Sequence, residues 1–67
     1  GYIIVYKAII ALAKTKLTLE GLLFFEIHEN LGKEVTELLS AAGFMSEIKK
    51  DMQGKDRMVM GRKSLEG

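Results

Sequence analysis

Sixty-seven residues, with ten basic and nine acidic side chains, give this chain a formal net charge of +1 at neutral pH. That length makes one domain at most, near the lower limit for burying a useful core, and the lack of cysteine removes disulfides and thiolate metal sites. The balanced charge leaves no electrostatic footprint for nucleic acid or an anionic membrane, and no stretch reaches the roughly 18 apolar residues of a membrane span.

The first segment sets Ile3, Tyr6, Ile9, Ile10, Ala13 and Leu17 at three- and four-residue steps, with Lys7 and Lys14 on one polar stripe. This spacing predicts a helix with a broad buried face. Ile4 and Val5 fall outside the stripe, so the first turn is expected to touch something else as well. Lys7 interrupts what would otherwise read as a signal-peptide core, and Lys14-Thr15-Lys16 follows in place of a small-residue cleavage site. A soluble, cytoplasmic chain without direct nucleic-acid or membrane partners is the expectation. The helix ends near Lys16, and Thr18-Leu19-Glu20-Gly21 reads as a turn.

Leu22 to Ile27 is a short apolar run without polar alternation, which predicts a strand covered on both faces, as in a parallel sheet. Leu22 and Phe24 point one way, and Leu23, Phe25 and Ile27 the other. A second helix follows, with Val35, Leu38, Leu39 and Ala42 on its apolar stripe and Asn30 as its predicted N-cap. Gly43 suits a left-handed position after the last turn, with Phe44 folding back on it. Glu47 to Met52, with lysines at 49 and 50, reads as a polar edge strand. Gln53-Gly54-Lys55-Asp56 reads as a hairpin loop in which Gly54 takes positive φ. Arg57 to Gly61 is apolar on both parities and reads as an interior strand.

Helix, strand, helix, strand, strand is thus an α/β chain with a three-stranded mixed sheet. Right-handed crossovers make the first two strands parallel and separated by a gap, which the last strand fills antiparallel. Both helices are expected on one sheet face, leaving the other bare and the first strand with an open edge. Such a chain reads as the end of a larger doubly wound domain. A complete small α+β interaction module, non-enzymatic and associating through the open strand edge, is the alternative.

The string from Leu22 to Lys63 resembles the C-terminal part of the HemK (PrmC) family of protein-glutamine N5-methyltransferases. Glu26-Ile27-His28 stands where that family ends a buried strand in Glu-Ile-Gly, Leu31-Gly32 where Gln-Gly opens a helix, and Gly43-Phe44 where a Gly-aromatic step closes it. Asp51, Gly54, Asp56 and Arg57 match the closing Asp-x-x-Gly-x-Asp-Arg, the most specific motif, and Tyr6-Lys7-Ala8-Ile9 resembles the family's aromatic-basic-x-Ile helix. His28, Leu31 and Leu19-Glu20 depart from the usual glycine, glutamine and Pro-Gly. The resemblance covers roughly residues 3–63. It implies that residues 1–63 form the C-terminal part of a Rossmann-like class I methyltransferase domain. Ser64-Leu65-Glu66-Gly67 continues no pattern before it, and its Leu-Glu pair reads as a tail left by cloning.

It further implies a full-length parent that transfers a methyl group from S-adenosyl-L-methionine to the glutamine of the Gly-Gly-Gln motif in a peptide chain release factor. The family's glycine-rich cofactor loop and Asn-Pro-Pro-Tyr motif do not occur in these residues, and proline is absent altogether. The chain alone is therefore expected to be inactive, to hold no cofactor and to contain no catalytic residue, and to have an exposed sheet edge open to self-association.

Glu26 and His28 share a parity at the C-terminal end of the first strand, the end outside which open α/β sheets bind ligands. Both are substrate-side candidates. Against this, Glu26 has a structural reading, bonding loop backbone or pairing with Arg57, since an unpaired buried carboxylate costs several kcal/mol. His28 has no second histidine or cysteine with which to share a metal, and reads as a loop residue. Gly32 before a helix is a weak phosphate signal. Asp51, Asp56 and Arg57 read as a loop-stabilising ion pair or an Asx turn, and Met45, Met52, Met58 and Met60 as gap-filling core or edge residues.

Overall fold

The computed structural model describes residues 2–28 and 30–64. Its elements are α1 (Tyr2–Lys16), β1 (Leu23–Glu26), α2 (Gly32–Ala41), β2 (Phe44–Lys50) and β3 (Asp56–Lys63). The tail expected at 64–67 falls outside the described residues except for Ser64, whose N–H donates to the Gly43 carbonyl at 2.9 Å.

The strands lie in the order β1-β3-β2, and β3 runs antiparallel to both neighbours. β1 and β2 therefore point the same way without touching, so the sheet holds antiparallel ladders only and is not mixed in its pairing. Phe25 faces Val59 across one ladder and Ile48 faces Val59 across the other. β3 occupies the centre because both of its parities are apolar: Val59 is fully buried on one face, while Met58 and Met60 lie on the other.

One face of this sheet is sealed. Val35 and Leu39 of α2 are fully buried, and Tyr6, Ile10 and Ala13 of α1 join Phe25, Ile27, Phe44 and Val59 in one core. Each large apolar side chain so buried contributes roughly 1.5–3 kcal/mol, and these few carry the fold. Gly61 in the central strand lets α2 approach closely, since a Cβ there would stand 3.2 Å from Leu39 Cδ2.

The opposite face is open. Leu22, Phe24, Met45 and Met58 are 51, 54, 51 and 36 % exposed. The expectation of both helices on one sheet face with the other left bare agrees with the structure: both helices pack against the Phe25 side, and the Phe24 side of the Leu22–Ile27 run has no cover among the described residues. The methionines are corrected. Met45 and Met58 lie on the open face, Met60 is half-buried there, and Met52 stands fully exposed in the hairpin turn.

A second apolar surface runs along α1. Ile4, Val5 and Leu12 are more than half exposed, and Ile9, expected in the buried stripe, is 38 % exposed. Ile9 lies about 100° around the helix from Ile10, on the side turned away from the core. The expectation that the first turn of α1 meets something further therefore finds apolar residues in place but no described partner.

Local signals explain most boundaries. Gly21 N–H donates to the Thr18 carbonyl and closes the first turn. Gly43 and Gly54 take φ values of +88° and +82°, and the Ala42 and Gly43 N–H groups bond back to Leu38, Leu39 and Ser40. The expected N-cap Asn30 is corrected: Leu31 holds that position with no side-chain cap. A turn closed by Leu31 N–H on the His28 carbonyl leads into α2 instead. β2 begins at Phe44 rather than Glu47 and stops at Lys50, and β3 extends from Asp56 to Lys63. The hairpin ladder extends into these flanking residues, because pairing with a central strand continues wherever the backbone stays extended.

Candidate functional site

The C-terminal end of β1 is where sequence reasoning placed the candidates. The strand arrives there through Phe25 and Ile27, anchored in the core, and Ile27 N–H continues the ladder by donating to the Arg57 carbonyl at 2.9 Å. Alternation then turns Glu26 and His28 to the open side, where both are exposed. The His28 carbonyl accepts from Leu31 N–H, so the chain turns directly from His28 into α2.

Tyr6, expected on the buried stripe of α1 and in the aromatic-basic-x-Ile motif, organises this corner. Its ring meets Phe25 edge-on, with centroids 5.3 Å apart at 69°, and its hydroxyl donates to the Glu26 carbonyl at 3.1 Å. A buried tyrosine needs a partner for its hydroxyl, and a tyrosine on the buried stripe of a helix was the signal for such a contact. It ties α1 to the strand end. Glu26 is thus fixed through its backbone, while its carboxylate is exposed.

Behind the strand end, α2 begins at a buried Gly32, and the Asp56 carboxylate packs against it: a Cβ on Gly32 would stand 2.5 Å from Asp56 Oδ2. That places negative charge at the positive end of the helix. Asp56 also binds the Lys50 ammonium, so one carboxylate joins the hairpin to the start of α2.

Arg57 does not reach Glu26 as one reading had it. Its Nε donates to Asp51 Oδ2 at 2.9 Å, while Asp51 Oδ1 accepts the N–H groups of Gln53 and Lys55 at 2.8 and 3.0 Å. Asp51 is therefore an Asx-type clamp that closes the hairpin, the structural role expected for it. The Lys55 N–H, then the Arg57 guanidinium and the Gln53 N–H, lower its pKa from 3.8 to about 2. A depressed folded pKa stabilises the fold above the unfolded value, and that contribution is lost as pH falls through the folded one. Asp51→Asn is accordingly expected to melt below the parent chain at neutral pH. The gap between their thermal midpoints should narrow as pH falls from 3.8 toward 2, and a gap independent of pH would contradict the clamp.

Among the described residues no group of three or more His, Asp or Glu side chains is placed to hold a metal ion, and no helix is long and apolar enough to cross a membrane. The strand end offers one carboxylate and one imidazole on an exposed rim. Further along the same open face, Leu22, Met45, Met60 and Arg62 line a shallow depression of about 370 Å³.

No protein-family profile matches the chain, and no solved structure does. Over 55 residues it is 46 % identical to a release factor glutamine methyltransferase of Flavobacterium psychrophilum. The match covers 81 % of this chain and 19 % of that relative, so the chain spans about a fifth of the protein it resembles. This chain is a homologue of a release factor glutamine methyltransferase.

Proposed function

We propose that the chain is the C-terminal part of an S-adenosyl-L-methionine-dependent protein-glutamine N5-methyltransferase whose substrate is the Gly-Gly-Gln glutamine of a peptide chain release factor, acting in the cytoplasm. The observation that carries this reading is the 46 % identity over 55 residues to a protein named release factor glutamine methyltransferase. The fold supports it. β1 and β2 run in the same direction with both helices on one face, as in one end of a Rossmann-like domain, and the uncovered face and free β1 edge suit a neighbouring layer and strand.

S-adenosyl-L-methionine, when bound to the complete enzyme, would supply the methyl group. The residues of this chain act as a wall. Tyr6 and Phe25 hold the end of β1, Asp56 and Asp51 fix the hairpin behind it, and Glu26 and His28 face the substrate from the strand end. None of them takes part in the transfer. Alone, the chain is inactive and does not bind the cofactor.

A chimera tests this: the matching segment of the Flavobacterium psychrophilum enzyme is replaced by the corresponding residues of this chain, and methylation of a release factor is assayed. Retained glutamine methylation is expected. A chimera that folds and binds S-adenosyl-L-methionine but methylates no glutamine would overturn the reading. In the active chimera, Glu26→Gln with His28→Ala is expected to raise KM for the release factor several-fold while leaving cofactor affinity unchanged, and an unchanged KM would remove both residues from the substrate side.

A further inference from the structure

Tyr6 carries a hydroxyl that the core does not require. The residue is 8 % exposed, on the buried stripe of α1, and its ring meets Phe25 edge-on. A phenylalanine would fill the same space and keep the ring contact. The hydroxyl adds a polar group that costs free energy to bury unless it is bonded, and one neutral hydrogen bond returns little net stability. Its effect is on geometry instead.

The bond goes to the Glu26 carbonyl, at 3.1 Å. That carbonyl belongs to the same peptide unit as Ile27 N–H, which donates to the Arg57 carbonyl of β3 at 2.9 Å. In a trans peptide the two groups point in opposite directions. One peptide plane is therefore held from both sides, by β3 through its N–H and by α1 through its carbonyl. Both bonds lie within the chain, so they do not depend on what adjoins the β1 edge in a longer protein.

We propose that Tyr6 is a positioning residue for the substrate: by fixing the Glu26–Ile27 peptide from the α1 side, its hydroxyl sets the direction in which Glu26 and His28 meet the release factor. The inference rests on the reading of those two residues as the substrate side. Glu26 carries one end of the fixed peptide, and His28 follows its other end. Both are exposed, so the backbone that carries them is what the core can hold in place. Without the hydroxyl, β3 alone restrains that peptide plane, and it can tilt just before the chain turns toward α2 at His28. A misplacement of about 1 Å in groups that orient a substrate is enough to weaken what they do. Tyr6 touches no substrate itself and acts through the rim.

The active chimera tests this. Tyr6→Phe is expected to raise KM for the release factor about 3- to 10-fold, the effect of one hydrogen bond, with kcat and S-adenosyl-L-methionine affinity unchanged. Ile10→Val, one turn along the same buried stripe, should lower the thermal midpoint comparably and leave KM as it was. In the chimera already carrying Glu26→Gln and His28→Ala, Tyr6→Phe should add less than about 2-fold, because a residue that acts through the rim has nothing left to position. An unchanged KM on Tyr6→Phe overturns the proposal, as does an equal rise on Ile10→Val or an undiminished rise in the double variant. Should Tyr6→Phe fail to fold, para-fluorophenylalanine at position 6, which fills the hydroxyl's place without donating, should give the raised KM. Para-aminophenylalanine, which restores a donor, should return it to the parent value, and a KM indifferent to the donor overturns the proposal. A chimera that methylates no glutamine overturns the methyltransferase reading and this inference with it; a methylating chimera indifferent to Tyr6→Phe overturns this inference alone.

Discussion

Leu39→Ala is expected to leave this chain without a stable fold. Leu39 is fully buried, at the point where α2 presses on Gly61 of the central strand. Truncating a buried leucine to alanine costs about 2–5 kcal/mol, more where the cavity stays open. At the usual stability per residue, a chain of this length has roughly 3–10 kcal/mol in total. One substitution therefore removes a large share of it. Urea titration followed by circular dichroism checks this, and a cooperative transition within about 1 kcal/mol of the parent would show that the core does not centre on the contact between α2 and β3.

The second large effect separates two adjacent phenylalanines. Phe25→Ala is expected to cost about 3–5 kcal/mol, because Phe25 is 4 % exposed and also loses its edge-on contact with Tyr6. Phe24→Ala, one residue earlier and 54 % exposed, should change stability by no more than about 0.5 kcal/mol. A strand shifted by one residue would reverse every side chain on it, so the same pair of measurements tests the orientation of β1. Equal losses for the two variants would mean that both faces are covered.

The residues that could be read from sequence were those whose local chemistry leaves little choice. Gly43 and Gly54 sit at positive φ where a helix stop and a hairpin demand it. The buried stripe of α2 followed from Val35 and Leu39, and the Asp51 turn from an aspartate placed before Gln53, Gly54 and Lys55. The bare face of the Leu22–Ile27 run followed from the predicted order of elements, which puts both helices on the other side. What was misjudged depends on tertiary partners. α1 has apolar residues on nearly opposite sides, and its periodicity could not tell Ile9 from Ile10. Asn30 is a good capping residue by type, yet the turn on the His28 carbonyl puts Leu31 at the cap.

The strand-end site was half legible. Parity alone places Glu26 and His28 together on the exposed rim, and the structure adds their shared orientation. The hydrogen bond from Tyr6 to the Glu26 carbonyl spans 20 residues of sequence, and no local pattern encodes a contact at that separation. Asp56 was read as part of the hairpin, and its second contact, against Gly32 at the start of α2, follows from the fold rather than from the motif.

The methyltransferase reading depends on a one-sided architecture, in which the helices seal the Val59 face of the sheet and leave the Phe24 face presented. Paramagnetic relaxation of methyl signals by a soluble, uncharged probe measures this most directly. Strong broadening of the Leu22, Met45 and Met58 methyls is predicted, with Val35, Leu39 and Val59 spared. Equal protection of the two sets would show that the chain wraps both faces itself, contrary to this architecture.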